Sequence, residues 1–224
     1  MCFSANASFI AGALLSIVGV ASILKAPHRS QRLFAAIPLL FGVQQIVEGM
    51  IWLTLPNPNY GFAQKALTHI FLFFAQVIWP VWIPTAFLLL KQRTKRRMVQ
   101  KILVVIGLVI GLYLFYCLLN YNVAAQIELH HITYLQEHPA VFRELGFVLY
   151  AIATVVPPFL SHIRRVWIIG LAVLVSYIIS DFYYQHYLLS VWCFFASIIS
   201  VTIYAVITHL RAMERRKMII AKLD

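Results

Sequence analysis

Apolar runs of about the length needed to cross a bilayer, roughly 20 residues, alternate along this chain with short polar or basic breaks. The first runs from Ala5 to Leu24. The second, Leu33 to Leu55, is interrupted only by Gln44, Gln45 and Glu48. The third, Ala66 to Leu90, contains His69 and Gln76. Ile102 to Leu119 is the fourth, Leu145 to Leu160 and Val166 to Ser180 are shorter, and Tyr187 to Ile207 is the last. Backbone polar groups inside a bilayer must be satisfied within the segment, so each run predicts a helix. The short fifth and sixth runs could form a re-entrant hairpin, but Arg164 and Arg165 would then lie at its tip in hydrocarbon. That costs roughly 2.5–3.5 kcal/mol for each cation on insertion scales. Full crossing returns both to water, so the expectation is an all-α integral membrane bundle of seven helices.

The placement of basic residues orients the bundle. Lys25, Arg29 and Arg32 follow the first span, and Lys91, Arg93, Lys95, Arg96, Arg97 and Lys101 separate the third from the fourth. Arg164 and Arg165 separate the fifth from the sixth, and Arg211, Arg215, Arg216, Lys217 and Lys222 form the tail. All of these fall on one side, and only Lys65 and Arg143 on the other. The positive-inside rule then predicts an N-terminus outside and a C-terminus in the cytoplasm. No cleavable leader is expected before the first span. The tail, residues 209–224, is expected to continue the last span as a basic helix lying on the cytoplasmic interface.

Composition agrees with this layout and excludes other classes. Of 224 residues, 62% are hydrophobic and 11% charged, too few charges to cover a soluble domain. An aromatic content of 14% excludes disorder. The net charge of +11 marks the cytoplasmic face and anionic lipid rather than nucleic acid.

With the orientation set, the polar residues gather from mid-membrane outward. Glu48 lies about 10 Å below the outer end of its span, at ~1.5 Å per residue. Gln44 and Gln45 lie one turn deeper, with Gln44 spaced i,i+4 from Glu48. His69 is near the outer end of the third span, with Gln76 two turns deeper. Cys193 is roughly level with Glu48, Asp181 ends the sixth span, and His186 sits in the short loop after it. Cys2 opens the chain outside and could pair with Cys193. The long outer loop, residues 120–144, places Glu128, His131, Leu135 and His138 on one helical stripe, which predicts an amphipathic helix over the mouth of the bundle. Trp79, Trp82 and Trp167 read as packing and interface residues. Prolines at 80, 84, 157 and 158 predict kinks. Ser8, Gly12 and Ser16, and Gly107 with Gly111, have the small-xxx-small spacing of close helix contacts.

An ionisable residue inside the membrane is a functional candidate by default. Glu48 is read either as a neutral acid bonded to nearby amides or as the anchor of a polar cavity open to the outside. In the second reading Gln44, Gln45, His69, Gln76 and Cys193 complete a site for a small ligand or ion, and the protein is transporter-like or sensor-like. A metal-dependent membrane hydrolase is the competing class, its ligands drawn from His69, His131, Asp181, His186 and Cys2. A non-catalytic scaffold subunit is the third. No Lys for a Schiff base lies in any span. Signatures of zinc proteases, serine hydrolases and phosphate loops are missing, so no cofactor is specified.

The opening Met1-Cys2-Phe3-Ser4-Ala5, the block Ile37 to Gln45 with Glu48, Gly49 and Trp52, the pair Trp79-Pro80, and Ser190 to Ala196 resemble an uncharacterised bacterial multi-pass membrane-protein family. The resemblance covers nearly the whole chain. It implies a bacterial membrane and no particular chemistry, and it singles out Cys2, Glu48 and Cys193. Seven spans with outer histidines and carboxylates are also similar, at fold level, to the alkaline ceramidase and adiponectin-receptor superfamily of zinc amidases. This chain lacks the paired histidines one turn apart that those sites use.

Overall fold

The computed structural model describes residues 4–90, 94–128, 131–137, 139, 143–161, 163, 166–183 and 188–221. It is mostly helical. Helix α1 spans Ala5–Lys25, its first turn capped by the Ser4 hydroxyl, which accepts from the Ala7 N–H. A 3-10 turn at Arg29–Gln31 and the short α2, Arg32–Ala35, lead into α3, Ile37–Thr54. Helices α4, Gly61–Leu72, and α5, Trp79–Leu89, form one rod joined by a π-helical segment, Phe73–Ile78. Then come α6, Thr94–Asn120, strands β1, Val123–Glu128, and β2, His131–Gln136, and helices α7, Arg143–Phe159, α8, Val166–Tyr183, and α9, Leu188–Ile220. Four of the helical rods are long and apolar enough to cross a membrane, and α7 and α8 contain shorter apolar stretches. The apolar faces left exposed, such as Ile10, Leu14, Ile17 and Leu24 on α1, are what a lipid-facing surface requires.

The bundle is not purely helical. The loop after α6 forms an antiparallel hairpin, with Val123 opposite Gln136 and Glu128 opposite His131, in place of the amphipathic helix expected there. Helical spacing of Glu128, His131 and Leu135 competes with a period-two signal, and the second wins. Ile132, Thr133 and Tyr134 suit a pleated, half-buried surface, and burying Ile132 completely against the bundle outweighs a solvated helical stripe. Glu128 is used inside the hairpin, accepting from Gln126 Nε2 at 2.5 Å and from Thr133 Oγ1 at 3.0 Å.

The π segment follows from proline. Trp79 N–H bonds to Phe74 O, one residue beyond the α register. In that register the Ala75 carbonyl would need the N–H that Pro80 lacks. The Tyr150 hydroxyl of α7 donates to it instead, at 2.6 Å. Pro84 likewise deprives the Pro80 carbonyl of its helical donor. That carbonyl faces Gly107 of α6 so closely that a β-carbon there would lie 1.8 Å from the oxygen. The other small-residue spacing also forms a contact: Gly12 of α1 packs against Gly42 and Ile46 of α3.

Helix α9 continues without a break to Ile220, so residues 209–220 of the basic tail belong to the same helix as the last apolar run. Lys25 Nζ donates to the Tyr204 hydroxyl, and His28 Nε2 lies 3.3 Å from Glu214 Oε1, tying this helix to the end of α1.

Candidate functional site

Two apolar clusters fill the bundle, and a polar layer separates them. One is built around Phe34, Ile37, Phe41, Trp79, Phe87 and Ile203. The other joins Val47, Ile51, Phe71, Leu72 and Leu118 to Ile132 of the hairpin. Tyr134 stacks on Phe71 with centroids 4.6 Å apart. Along α3 the order is Phe41, then Gln44, Gln45 and Glu48, then Ile51. Positions 41, 44, 48 and 51 recur at helical spacing on one buried stripe. Along the α4–α5 rod it is Phe71 and Leu72, then Gln76, then Trp79. The polar residues of both elements therefore fall at the same depth.

Burial in this layer is complete for the α3 residues: Glu48 is 0% exposed, and Gln44 and Gln45 are each 1% exposed. The Glu48 carboxyl is shut off from the exterior of the protein. Gln45 Nε2 donates to Glu48 Oε2 at 3.0 Å. Trp79 Nε1 donates to Gln44 Oε1 at 2.8 Å, and its ring stacks on Phe41 with centroids 4.0 Å apart. An indole N–H only donates, so it fixes the orientation of the Gln44 amide. Half of each amide is then unspent. Gln44 Nε2 and Gln45 Oε1 are buried and have no hydrogen-bond partner among the described residues. Buried polar atoms are nearly always paired, and an exception calls for a water, an ion or a ligand.

Gln76 Nε2 donates to Gln136 Oε1 at 2.5 Å, hooking the end of β2 to the π segment. Its Oε1 and the Gln136 Nε2 are likewise unpartnered. The hairpin and the cluster around Ile51 and Phe71 thus lie over the layer on this side. The cavity found inside the bundle, of about 50 Å³, lies on the other side of Trp79. Its walls are apolar side chains of α2, α3, α5, α7, α8 and α9, including Ile37, Phe41, Ile83 and Phe87. Thr154 also lines it, with its hydroxyl bonded to the Tyr150 carbonyl at 2.9 Å.

The structure brings together Gln44, Gln45 and Glu48, and sets Gln76 at their depth. His69 is elsewhere: its Nδ1 contacts the carbonyl of Lys65 in its own helix at 2.7 Å. It borders a peripheral groove with Phe73, Phe115 and Leu119. Of the metal candidates, His131 sits at the hairpin turn opposite Glu128. Cys2 and His186, with the side chains of Asp181 and Cys193, lie outside the described residues. Among the described residues no three His, Cys, Asp or Glu side chains converge. Cys117 is a buried free thiol.

Trp79, Phe41 and Gln136 were missed as members of the layer. A buried tryptophan N–H demands an acceptor, and that was the available signal for Trp79. Nothing in the sequence marked Gln136.

The sequence profile of a family of unknown function, DUF6629, matches residues 1–218. The chain belongs to that family. No curated protein and no solved structure matches it. The polar layer of this DUF6629 chain therefore has to be read from its own chemistry.

Proposed function

We propose that this DUF6629 protein is a seven-span protein of the bacterial inner membrane that binds a small ligand or ion in the layer around Glu48. The N-terminus and the hairpin face outward, and the basic loops and tail face the cytoplasm, as the distribution of cations requires. One observation carries the binding reading. Two fully buried amides, Gln44 and Gln45, leave a donor and an acceptor unused beside a carboxyl group, between two apolar clusters. A layer that served packing alone would be expected to use that capacity internally. Glu48 is the anchor, Gln45 orients it, and Trp79 sets the polarity of Gln44. Because the hairpin covers the layer, access from outside requires it to move, with the Gln76–Gln136 bond breaking first. The proline-bearing rods α4–α5 and α7 supply hinges beside the site.

Thermal unfolding of the detergent-purified protein tests this against a panel of small cations and neutral polar solutes. A solute of the right class raises the melting temperature of the wild type and leaves Glu48→Gln unmoved. Identical responses of the two proteins to every solute overturn the reading.

A further inference from the structure

Strand β1 pairs with β2 along one edge only. The Glu137 N–H bonds to the Asn122 carbonyl at 3.3 Å, one step beyond the Val123–Gln136 pair, and this bond fixes the phase of the ladder. In an antiparallel pair, hydrogen-bonded and non-bonded positions alternate. Ala124 and Gln126 therefore bond to β2, and the N–H and C=O of Val123 and Ala125 point out of the other edge. No backbone bond joins Val123 or Ala125 to another described element.

A cleft of about 250 Å³ runs along that edge, between β1 and α4. Gln64, Lys65 and Thr68 of α4 line it together with Val123, Ala124 and Ala125. The Ala124 side chain turns to the opposite face from those of Val123 and Ala125. A cleft that touches all three, and no residue of β2, lies beside the strand rather than under one face. Helix α4 thus flanks the free edge without closing it. No residue of the layer around Glu48 lines this space.

The lining selects the occupant. Gln64 is committed, its Nε2 donating to the carbonyls of Thr54 at 2.6 Å and Asn57 at 3.0 Å. Thr68 Oγ1 donates to the Gln64 carbonyl at 2.7 Å. Lys65 is exposed and makes no ion pair among the described residues. No acidic side chain lines the cleft, so its charge favours an anion. A simple anion would meet Lys65 and leave the strand edge to water. An extended peptide matches both features. Its outward N–H and C=O groups recur every second residue, about 7 Å at ~3.4 Å per residue, as do those of Val123 and Ala125. Strand addition of this kind draws its affinity from main-chain bonds. The volume falls below the ~300–1,000 Å³ of pockets for drug-sized ligands, which limits the enclosed part to a few residues.

We propose that the cleft between α4 and β1 binds a short extended peptide as a third strand, paired to Val123 and Ala125, with a carboxylate of the peptide held by Lys65.

The test uses the full chain in detergent, with amide hydrogen exchange followed by NMR. The probes are N-acetyl-trialanine as the free acid, its C-terminal amide, an amidated analogue with glutamate in the middle, the free acid N-methylated at every residue, and propionate. The free acid slows exchange at Val123 and Ala125 several-fold, and the C-terminal amide does so more weakly. The N-methylated acid and propionate leave exchange unchanged. Comparing the free acid with the amidated glutamate peptide shows whether a chain end or a side chain supplies the carboxylate, and slowing by either supports the proposal. Lys65→Met reduces the response to the free acid to that of the amide. Ala125→Pro removes an outward N–H without costing a ladder bond, and it abolishes the response read at Val123. Lys65→Met carries the test if Ala125→Pro does not fold. Equal slowing by propionate, equal slowing by the N-methylated acid, or an undiminished response in Lys65→Met overturns the proposal, as does the lack of a response to every probe.

Discussion

Gly107→Ala should damage this protein far more than the same change one turn later at Gly111. A β-carbon at 107 would lie 1.8 Å from the Pro80 carbonyl oxygen and 2.8 Å from its carbon, both backbone atoms. The shortest distance that real β-carbons adopt is about 3.0 Å, so α5 and α6 must separate by about 1.2 Å, the difference between 3.0 and 1.8 Å. Overpacking of this kind costs about 1–3 kcal/mol, offset by the ~1 kcal/mol that alanine gains over glycine in a helix. At Gly111 the nearest atom is a methyl carbon of Val81 at 3.1 Å, which can give by a few tenths of an ångström. There the gain in helix propensity should balance or exceed the strain. Pro80, which the added β-carbon would push away, directly follows Trp79 in the chain, so the Trp79–Gln44 bond is disturbed as well. Thermal unfolding in detergent reads both variants. Since about 1 kcal/mol shifts the midpoint by 2–4 °C in a chain of this size, Gly107→Ala should fall by several degrees while Gly111→Ala stays within about one unit of that scale. Equal midpoints for the two variants would refute the contact between Gly107 and the freed Pro80 carbonyl.

Three further outcomes are expected. Trp79→Phe keeps an aromatic ring on Phe41 but strands the buried Gln44 Oε1, at a cost of about 1–3 kcal/mol. Adding Gln44→Leu should recover part of that loss, and strictly additive effects would mean that the two side chains do not interact. Ile132→Ala empties a fully buried position beneath the hairpin, costing about 2–5 kcal/mol. Hydrogen exchange should then quicken across 123–136 and not in α1, and uniform quickening would contradict a separately seated hairpin. In a background lacking the native cysteines, Ala124→Cys should react with a membrane-impermeant thiol reagent in intact cells and Arg29→Cys only after lysis. The opposite result reverses the orientation.

Much of the fold was legible because the bilayer imposes a single requirement, internal pairing of every backbone group, that long apolar runs satisfy in one way. Each run the sequence presents, from Ala5 to Ile207, contains a helix. The loop after α6 escapes that rule. At Glu128 to Leu135 helical and alternating patterns coexist, and burial of Ile132 under the bundle, a tertiary effect, decides between them. The π segment was readable only as a kink at Pro80, because its register depends on Tyr150 reaching across from α7. In the site, Gln44, Gln45 and Glu48 were legible as polar residues in an apolar span. His69 was legible as a polar residue early in its apolar run, but a helix has many faces, and its own Lys65 carbonyl holds it at the periphery. The partners of the amides, Trp79 and Gln136, come from other elements that only packing brings to this depth.

An experimental density map of the purified protein is the most direct measurement. The account predicts non-protein density within hydrogen-bonding distance of both Gln44 Nε2 and Gln45 Oε1. A dry layer in which the two amides have turned to satisfy each other, with Glu48 packed against them, would contradict it.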